Sequence, residues 1–314
     1  MSQHASLSGR DIHKIVTLAH RCAQADGIEP FNEQTTLGLS RPASPERTHI
    51  VVPHDEDVIG YAQVETVGAD ASAELAVDPD HRRRGTGRAL LREVVASLEA
   101  EITHLRVWAH GDLPAARALA TSEGFERDRV LFKLGRSMEG FAWPSAWPAG
   151  APEDWPRGAA AAVGLPEGVS LRAFRPGEDD AEWLRVNAAA FADHPEQGRW
   201  TAGDLRDRLA EPWFDPEGLI VAEDAEGMLG FHWTKAEDGV GEIYVLGIDP
   251  RAQGTGLGKV LTLAGLAHLA ARGLRQVDLY VDESNGRAVA LYRSQGFDLA
   301  RSDVQWAKRL DGTT

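Results

Sequence analysis

Leu246-Gly247-Ile248-Asp249-Pro250-Arg251-Ala252-Gln253-Gly254-Thr255-Gly256-Leu257-Gly258-Lys259-Val260-Leu261 joins an apolar strand, an Asp-Pro turn, a glycine cluster and an apolar helical run. Glycine at 254, 256 and 258 removes three Cβ atoms where the chain enters the helix, so successive backbone N–H groups can face a ligand at close range. The first N–H groups of a helix have no partner inside it, and the aligned peptide dipoles place partial positive charge there. A phosphate or pyrophosphate suits such a place. A flexible strand-to-helix turn would look the same, so the stretch needs support from elsewhere in the chain.

The support is a second copy. Val77-Asp78-Pro79-Asp80-His81-Arg82-Arg83-Arg84-Gly85-Thr86-Gly87-Arg88 repeats the pattern 171 residues earlier, with Asp78, Pro79, Gly85 and Gly87 matching Asp249, Pro250, Gly256 and Gly258. Gln253-x-x-Gly256-x-Gly258 and Arg82-x-x-Gly85-x-Gly87 resemble the coenzyme A signature of the GCN5-related N-acetyltransferases. Neither copy is a Gly-x4-Gly-Lys-Ser/Thr loop, and neither is followed by a ribose-binding acid at the distance a dinucleotide fold requires. The resemblance implies an α/β fold of the α+β type: two tandem acetyltransferase domains, each a mixed, mostly antiparallel sheet flanked by helices.

A length of 314 residues agrees with two domains that each bury a core. One cysteine, Cys22, leaves no intramolecular disulfide to form, and it reads as a buried thiol. The N-terminus has no apolar signal core, and the run 260–271 is too short to cross a bilayer. A cytoplasmic monomer without a membrane partner is expected. The net charge of −15 argues against nucleic acid and is compatible with a cationic amine substrate. His194 and His232 have no neighbouring ligands at metal spacing, so no metal is expected.

Along the chain, residues 11–25 carry apolar positions at helical spacing, stopped by Gly27, and 48–52, 58–67 and 73–77 read as strands. A helix from 88, a strand over 105–109, a helix over 115–123 and a strand over 130–134 complete the first plan. Residues 141–168 are rich in Pro and Gly, with Trp143, Trp147 and Trp155 among them, and read as a linker pinned by its indoles. The plan then restarts, closing with a strand over 304–308. The expected division is an N-terminal cofactor-binding, catalytically silent domain over 1–140 and a C-terminal catalytic domain over 169–314.

The copies differ where chemistry would occur. At an offset of 171, Glu242 falls opposite Ala71; at 172, set by Gly124-Phe125 and Gly296-Phe297, Tyr292 falls opposite Ala120 and Asn285 opposite Leu113. Acetyl transfer from a thioester to an amine needs a base, because an α-amine with a pKa of about 7.7–8.0 is largely protonated near neutrality. Glu242 is the candidate. The leaving thiolate, with a pKa of about 8.5, can take a proton from a tyrosine hydroxyl of about 10, and Tyr292 is the candidate. A bulge at 246–248, helped by Gly247, would free N–H groups for the acetyl carbonyl.

The resemblance extends further, to the tandem branch of the family that makes mycothiol. It is carried by His194-Pro195-Glu196-Gln197-Gly198, Gly230-Phe231-His232-Trp233-Thr234-Lys235, Val245 to Pro250 and the segment from Leu279-Tyr280-Val281 to Leu291-Tyr292. In the first half it is carried by Phe31-Asn32-Glu33-Gln34 and the arginine-rich turn. It implies acetylation of the cysteinyl amine of cysteinyl-glucosaminyl-inositol, the last step of that synthesis, with Glu33, Glu196, Lys235, Glu242 and Tyr280 contacting this small-molecule substrate. Acetyl-CoA would lie on Leu246, Gly247 and Ile248, on Gln253, Gly254, Thr255, Gly256, Leu257, Gly258 and Lys259, and on Asn285, Gly286, Arg287, Ala288, Val289 and Ala290. A second acetyl-CoA would lie on Leu75, Ala76 and Val77 and on Arg83, Arg84, Gly85, Thr86, Gly87 and Arg88. Two other readings remain open from the residues alone: a tandem acetyltransferase for another amine or a protein N-terminus, and a non-catalytic coenzyme A sensor.

Overall fold

The computed structural model describes residues 1–141, 165–192 and 197–310. The three linker tryptophans, His194 and Glu196 lie outside the described residues. Two compact units emerge from the contacts. One is Met1–Phe132 with Asp282–Ser284 and Arg301–Thr314; the other is Lys133–Val281 with Asn285–Ala300.

The first unit opens with β1 (Ser2–His4) and α1 (Gly9–Asp26). Ser8 caps α1 by accepting from the Asp11 amide, and Gly27 ends it in the left-handed region at φ 70°. Ile15, Leu18 and Cys22, spaced three and four apart, form its buried stripe. The short α2 (Glu33–Gly38) follows, capped by Asn32. Then come β2 (Arg47–His54), β3 (Asp57–Val67), β4 (Asp70–Val77), α3 (Thr86–Ala96), β5 (His104–Ala109), α4 (Pro114–Ser122) and β6 (Glu126–Ser137). Alternating burial along β4 sends Ala71, Ala73, Leu75 and Val77 to the core under α3 and α4, and Ala76 to the one under α1.

The second unit repeats this plan with β7 (Ser170–Ala173), α5 (Asp180–Ala190), α6 (Ala202–Leu209), β8 (Leu219–Asp224), β9 (Gly227–Glu237), β10 (Val240–Ile248), α7 (Leu257–Ala271), β11 (Gln276–Asp282), α8 (Gly286–Ser294) and β12 (Asp298–Arg309). Thr201 and Asp204 form a reciprocal capping box at α6. One side of the sheet carries Leu171, Ile220 and Leu229 against α7; the other carries Phe231, Trp233 and Val245 against Trp183 of α5 and Leu205 of α6.

The strand order is β1-β2-β3-β4-β5-β12 in the first unit and β6-β11-β10-β9-β8-β7 in the second, so the expectation that 130–134 completes the first plan is corrected: β6, whose residues from Lys133 belong to the second unit, lies beside β11. The expectation that 304–308 closes the second sheet is corrected: Val304 to Arg309 pairs antiparallel with Ala109 to His104 of β5. Its apolar residues are the reason. Val304 and Trp306 are buried in the first unit's core with Leu105 and Phe125. In each sheet the strand before the glycine turn runs parallel to its neighbour for only a few rungs. β4 leaves β5 after Ala73↔Val107, and β10 leaves β11 after Ile243↔Leu279. Each sheet therefore splays open just ahead of its glycine cluster.

Candidate active site

The two glycine turns have the same backbone. Gly85 and Gly256 precede α3 and α7 at φ 87° and 90°, and Arg83 and Gly254, also equivalent, both lie in the left-handed region at 62° and 83°. Neither helix has a side-chain cap on its first N–H groups, whereas Ser8, Asn32, Thr201 and Asn285 cap α1, α2, α6 and α8. Open amides and absent Cβ atoms fit an anionic ligand such as the pyrophosphate of coenzyme A. Asp78 and Asp249 brace the turns by accepting from the Asp80 and Arg251 amides. Burial alone would raise the Asp249 carboxyl, but the Arg251 amide and the Arg185 guanidinium, 3.0 Å away, outweigh it and hold the group below its ordinary value.

In the first unit the splay opens into a cavity of about 590 Å³. Leu75, Ala76, Val77, Arg83, Gly85, Gly87 and Arg88 of the expected set line it, together with Val107, Ala120, Phe125 and Trp306; Arg84 and Thr86 do not. Arg82 lines the cavity as well, its guanidinium held by donation to both Asp26 oxygens at 2.7 and 2.8 Å and to the Val77 carbonyl at 3.0 Å. Gln253 reaches the Ile248 carbonyl in the same manner at 3.4 Å. Ile28 and Pro30 of the loop between α1 and α2 also line this cavity, and a Cβ on Gly111 would meet Ile28 Cδ1 at 2.1 Å.

In the second unit, Leu246, Gly247 and Ile248 end β10, Gln253 to Lys259 turn into α7, and Asn285 caps α8 by accepting from Ala288 at 3.1 Å. The bulge expected at 246–248 falls at Tyr244, between Ile243↔Thr234 and Val245↔Trp233. Gly247 has a different reason to be glycine, since a Cβ there would meet the Phe231 ring at 2.7 Å. The bulge also corrects the comparison of the two halves. Glu65↔Ser72 is the counterpart of Lys235↔Glu242, so Ser72 rather than Ala71 stands at the position of Glu242. The carboxylate is still absent from the first unit.

Glu242 stands opposite Lys235 on β9 and Asp278 on β11, and alternation puts Tyr280 on the same face. Three of the expected substrate residues, Lys235, Glu242 and Tyr280, therefore share one face of one sheet. Lys235 Nζ lies 3.1 Å from Glu237 and over the Trp213 ring at 4.7 Å. Beside them Arg208 donates to the Tyr244 hydroxyl at 2.8 Å and stacks 3.9 Å over Trp200. This cation–aromatic wall escaped the sequence reading. Its detectable signal is the change of repeat offset from 170 at Gly60/Gly230 to 171 at Asp78/Asp249, which betrays one inserted residue. Tyr292 is buried on α8, edge-on to Phe297 at 5.9 Å, and its burial pushes the phenol pKa upward. Ala120 holds its place in the first unit. Glu33 opens α2 in the first unit.

Among the described residues no group of three or more His, Cys, Asp or Glu is placed to hold a metal ion, and no helix is long and apolar enough to cross a membrane.

Two splayed sheets, each with an uncapped glycine-led helix at its mouth, define an N-acetyltransferase of tandem build. The acetyltransferase (GNAT) family model matches residues 183–297, and the acetyltransferase (GNAT) domain model matches 45–127. The chain is similar over its length to a tandem GNAT protein from the clavulanic acid biosynthesis pathway (TM-score 0.70, 18% identity, 99% of this chain and 98% of that one). It is similar as well to a GCN5-related N-acetyltransferase from Sphaerobacter thermophilus (TM-score 0.67, 22% identity, 100% and 96%). Mycothiol acetyltransferase of Salinispora arenicola is 50% identical over 91% of this chain and 90% of its own, and that of Thermomonospora curvata 47% identical over 96% and 94%. The chain belongs to the mycothiol acetyltransferase family, a tandem branch of the GNAT acetyltransferases.

Proposed function

We propose that the chain transfers the acetyl group of acetyl-CoA to the cysteinyl amine of cysteinyl-glucosaminyl-inositol, completing mycothiol, with the chemistry confined to the second unit. The observation that carries this reading is the asymmetry between two equivalent splays. Glu242 stands on β10 ahead of one and Tyr292 on α8 of the same unit, while Ser72 and Ala120 hold the equivalent positions in the other unit. Acetyl-CoA supplies an activated acetyl thioester. Glu242 takes a proton from the incoming ammonium, and Tyr292, held protonated by burial, gives one to the departing sulfur. Glu33, Glu196, Lys235 and Tyr280 hold the polyhydroxylated substrate, for which carboxylate acceptors are suited.

The first unit binds a second acetyl-CoA in its cavity without turning it over. Arg83 and Arg88 supply charge beside the glycines, and Ser72 and Ala120 stand where the second unit has its carboxylate and its phenol. A panel of amines assayed for free thiol release from acetyl-CoA tests the substrate. Turnover should require the cysteinyl group on glucosaminyl-inositol, and equal rates on an unrelated amine would overturn the assignment. Calorimetry should count two cofactor sites, one lost in Arg83→Glu with kcat retained; a single site in the wild type defeats the second half of the proposal.

A further inference from the structure

The first unit contains a buried ionic chain that its twin lacks. Glu74 on β4 is 3% exposed, and its Oε1 lies 2.9 Å from Nε2 of His110 at the end of β5. The other ring nitrogen, Nδ1, lies 3.4 Å from Asp303 Oδ2 on β12. Asp303 also accepts the Gly111 amide at 2.7 Å and faces Arg301 at 3.2 Å. An imidazole flanked by two carboxylates donates to both only as the imidazolium. Burial opposes that charge, but Glu74 and Asp303 override it and push the pKa up to about 10.

Such a group is costly to bury unless each member is paired, and the fold does not demand it. The register puts Val245 at the position of Glu74 in the second unit, and Asp282 falls at that of His110. The chain of contacts ends on a backbone. Glu74 Oε2 accepts the N–H of Asn32 at 2.9 Å, and Asn32 is the N-cap of α2, its side chain accepting from Thr35 at 2.8 Å. The next residue is Glu33.

We propose that Glu74, clamped by His110 and Asp303, is the positioning residue for Glu33: it pins the start of α2 and so fixes the direction from which Glu33 meets the amine substrate. The inference rests on the reading of Glu33 as a substrate contact. A long carboxylate side chain on a short helix has many ways to miss, and small misplacements of a binding group are expensive. The buried carboxylates of Glu74 and Asp303, with His110 between them, supply the missing rigidity to the one amide that Glu74 holds. Glu74 does not line the cofactor cavity, whereas His110 does, so substitutions at Glu74 separate the two roles.

The test is steady-state kinetics on the full chain with cysteinyl-glucosaminyl-inositol and acetyl-CoA, comparing Glu33→Gln, Glu74→Leu, Glu74→Gln and the double variant Glu33→Gln/Glu74→Leu. Glu74→Leu removes the acceptor of the Asn32 amide, and Glu74→Gln keeps the shape should Leu prevent folding. The expected result is a rise in amine KM of about 3- to 30-fold, the scale of one charge-assisted hydrogen bond. The KM for acetyl-CoA and kcat should stay within about twofold, and the double variant should match Glu33→Gln alone. Multiplying effects in the double variant, or a parallel rise in the acetyl-CoA KM, overturns the positioning role. So does an unchanged amine KM in folded Glu74 variants when Glu33→Gln raises it. If Glu33→Gln itself leaves the amine KM unchanged, the substrate reading of Glu33 fails first and the positioning role falls with it.

Discussion

Glu242 stands in register with Lys235 on one neighbouring strand and Asp278 on the other. Glu242→Gln keeps the shape and removes the base; kcat should fall by about 10²–10⁴, the range of one acid–base group, with the acetyl-CoA KM little changed. A loss of less than tenfold in the thiol-release assay would remove Glu242 from the mechanism. Tyr292 makes a narrower demand. Burial raises its pKa, so the phenol is neutral when the C–S bond breaks and its O–H is available to the departing sulfur. Tyr292→Phe should therefore lower kcat while the melting temperature holds, since the ring still packs on Phe297. An unchanged kcat would leave the ring as packing alone.

At the scale of elements, the glycine turns, the helix stripes and the tandem plan were legible because each is local: a φ above zero, a spacing of three and four, a repeated Asp-Pro. The bulge at Tyr244 was not, because a bulge is a relation between strands: the change of repeat offset betrays that a residue is inserted, but only the pairing with β9 shows which one. For the same reason Ser72 was hidden behind Ala71. The Glu74–His110–Asp303 chain was still less visible, since its members come from three strands or strand ends. Gly247 shows how a correct residue can carry a wrong reason: it admits the Phe231 ring instead of making the bulge. Gly247→Ala should cost about 1–3 kcal/mol of stability through overpacking, measured by denaturant unfolding. A loss below ~0.5 kcal/mol would mean that the ring moves aside at no cost.

Over the whole molecule, the buried His49 and His232 and the half-buried His110 shape the pH dependence of stability. His232, chiefly by burial, and His49, by burial and then by Arg47, are lowered to about 4, while His110 is raised to about 10 against an ordinary value of 6.5. Between pH 6.5 and 4 the unfolded chain binds the protons that His49 and His232 refuse, so stability falls as pH falls. Between 6.5 and 10 the folded chain holds the His110 proton that the unfolded chain has lost, so stability falls as pH rises. The melting temperature should peak near pH 6.5, and His110→Gln should flatten the alkaline side; an unchanged alkaline slope would show that His110 does not carry it. The exchange of β12 leads to the last prediction. Residues 301–309 bring to the first unit an outer strand, the buried Val304 and Trp306, one wall of the cavity and the Asp303 partner of His110. Without them β5 has an unpaired edge and the core an open side. A chain of residues 1–140 should therefore show no cooperative melting, while the same chain mixed with a peptide of residues 298–314 should regain it and bind acetyl-CoA. Cooperative melting of residues 1–140 alone would show that β12 covers a unit already complete.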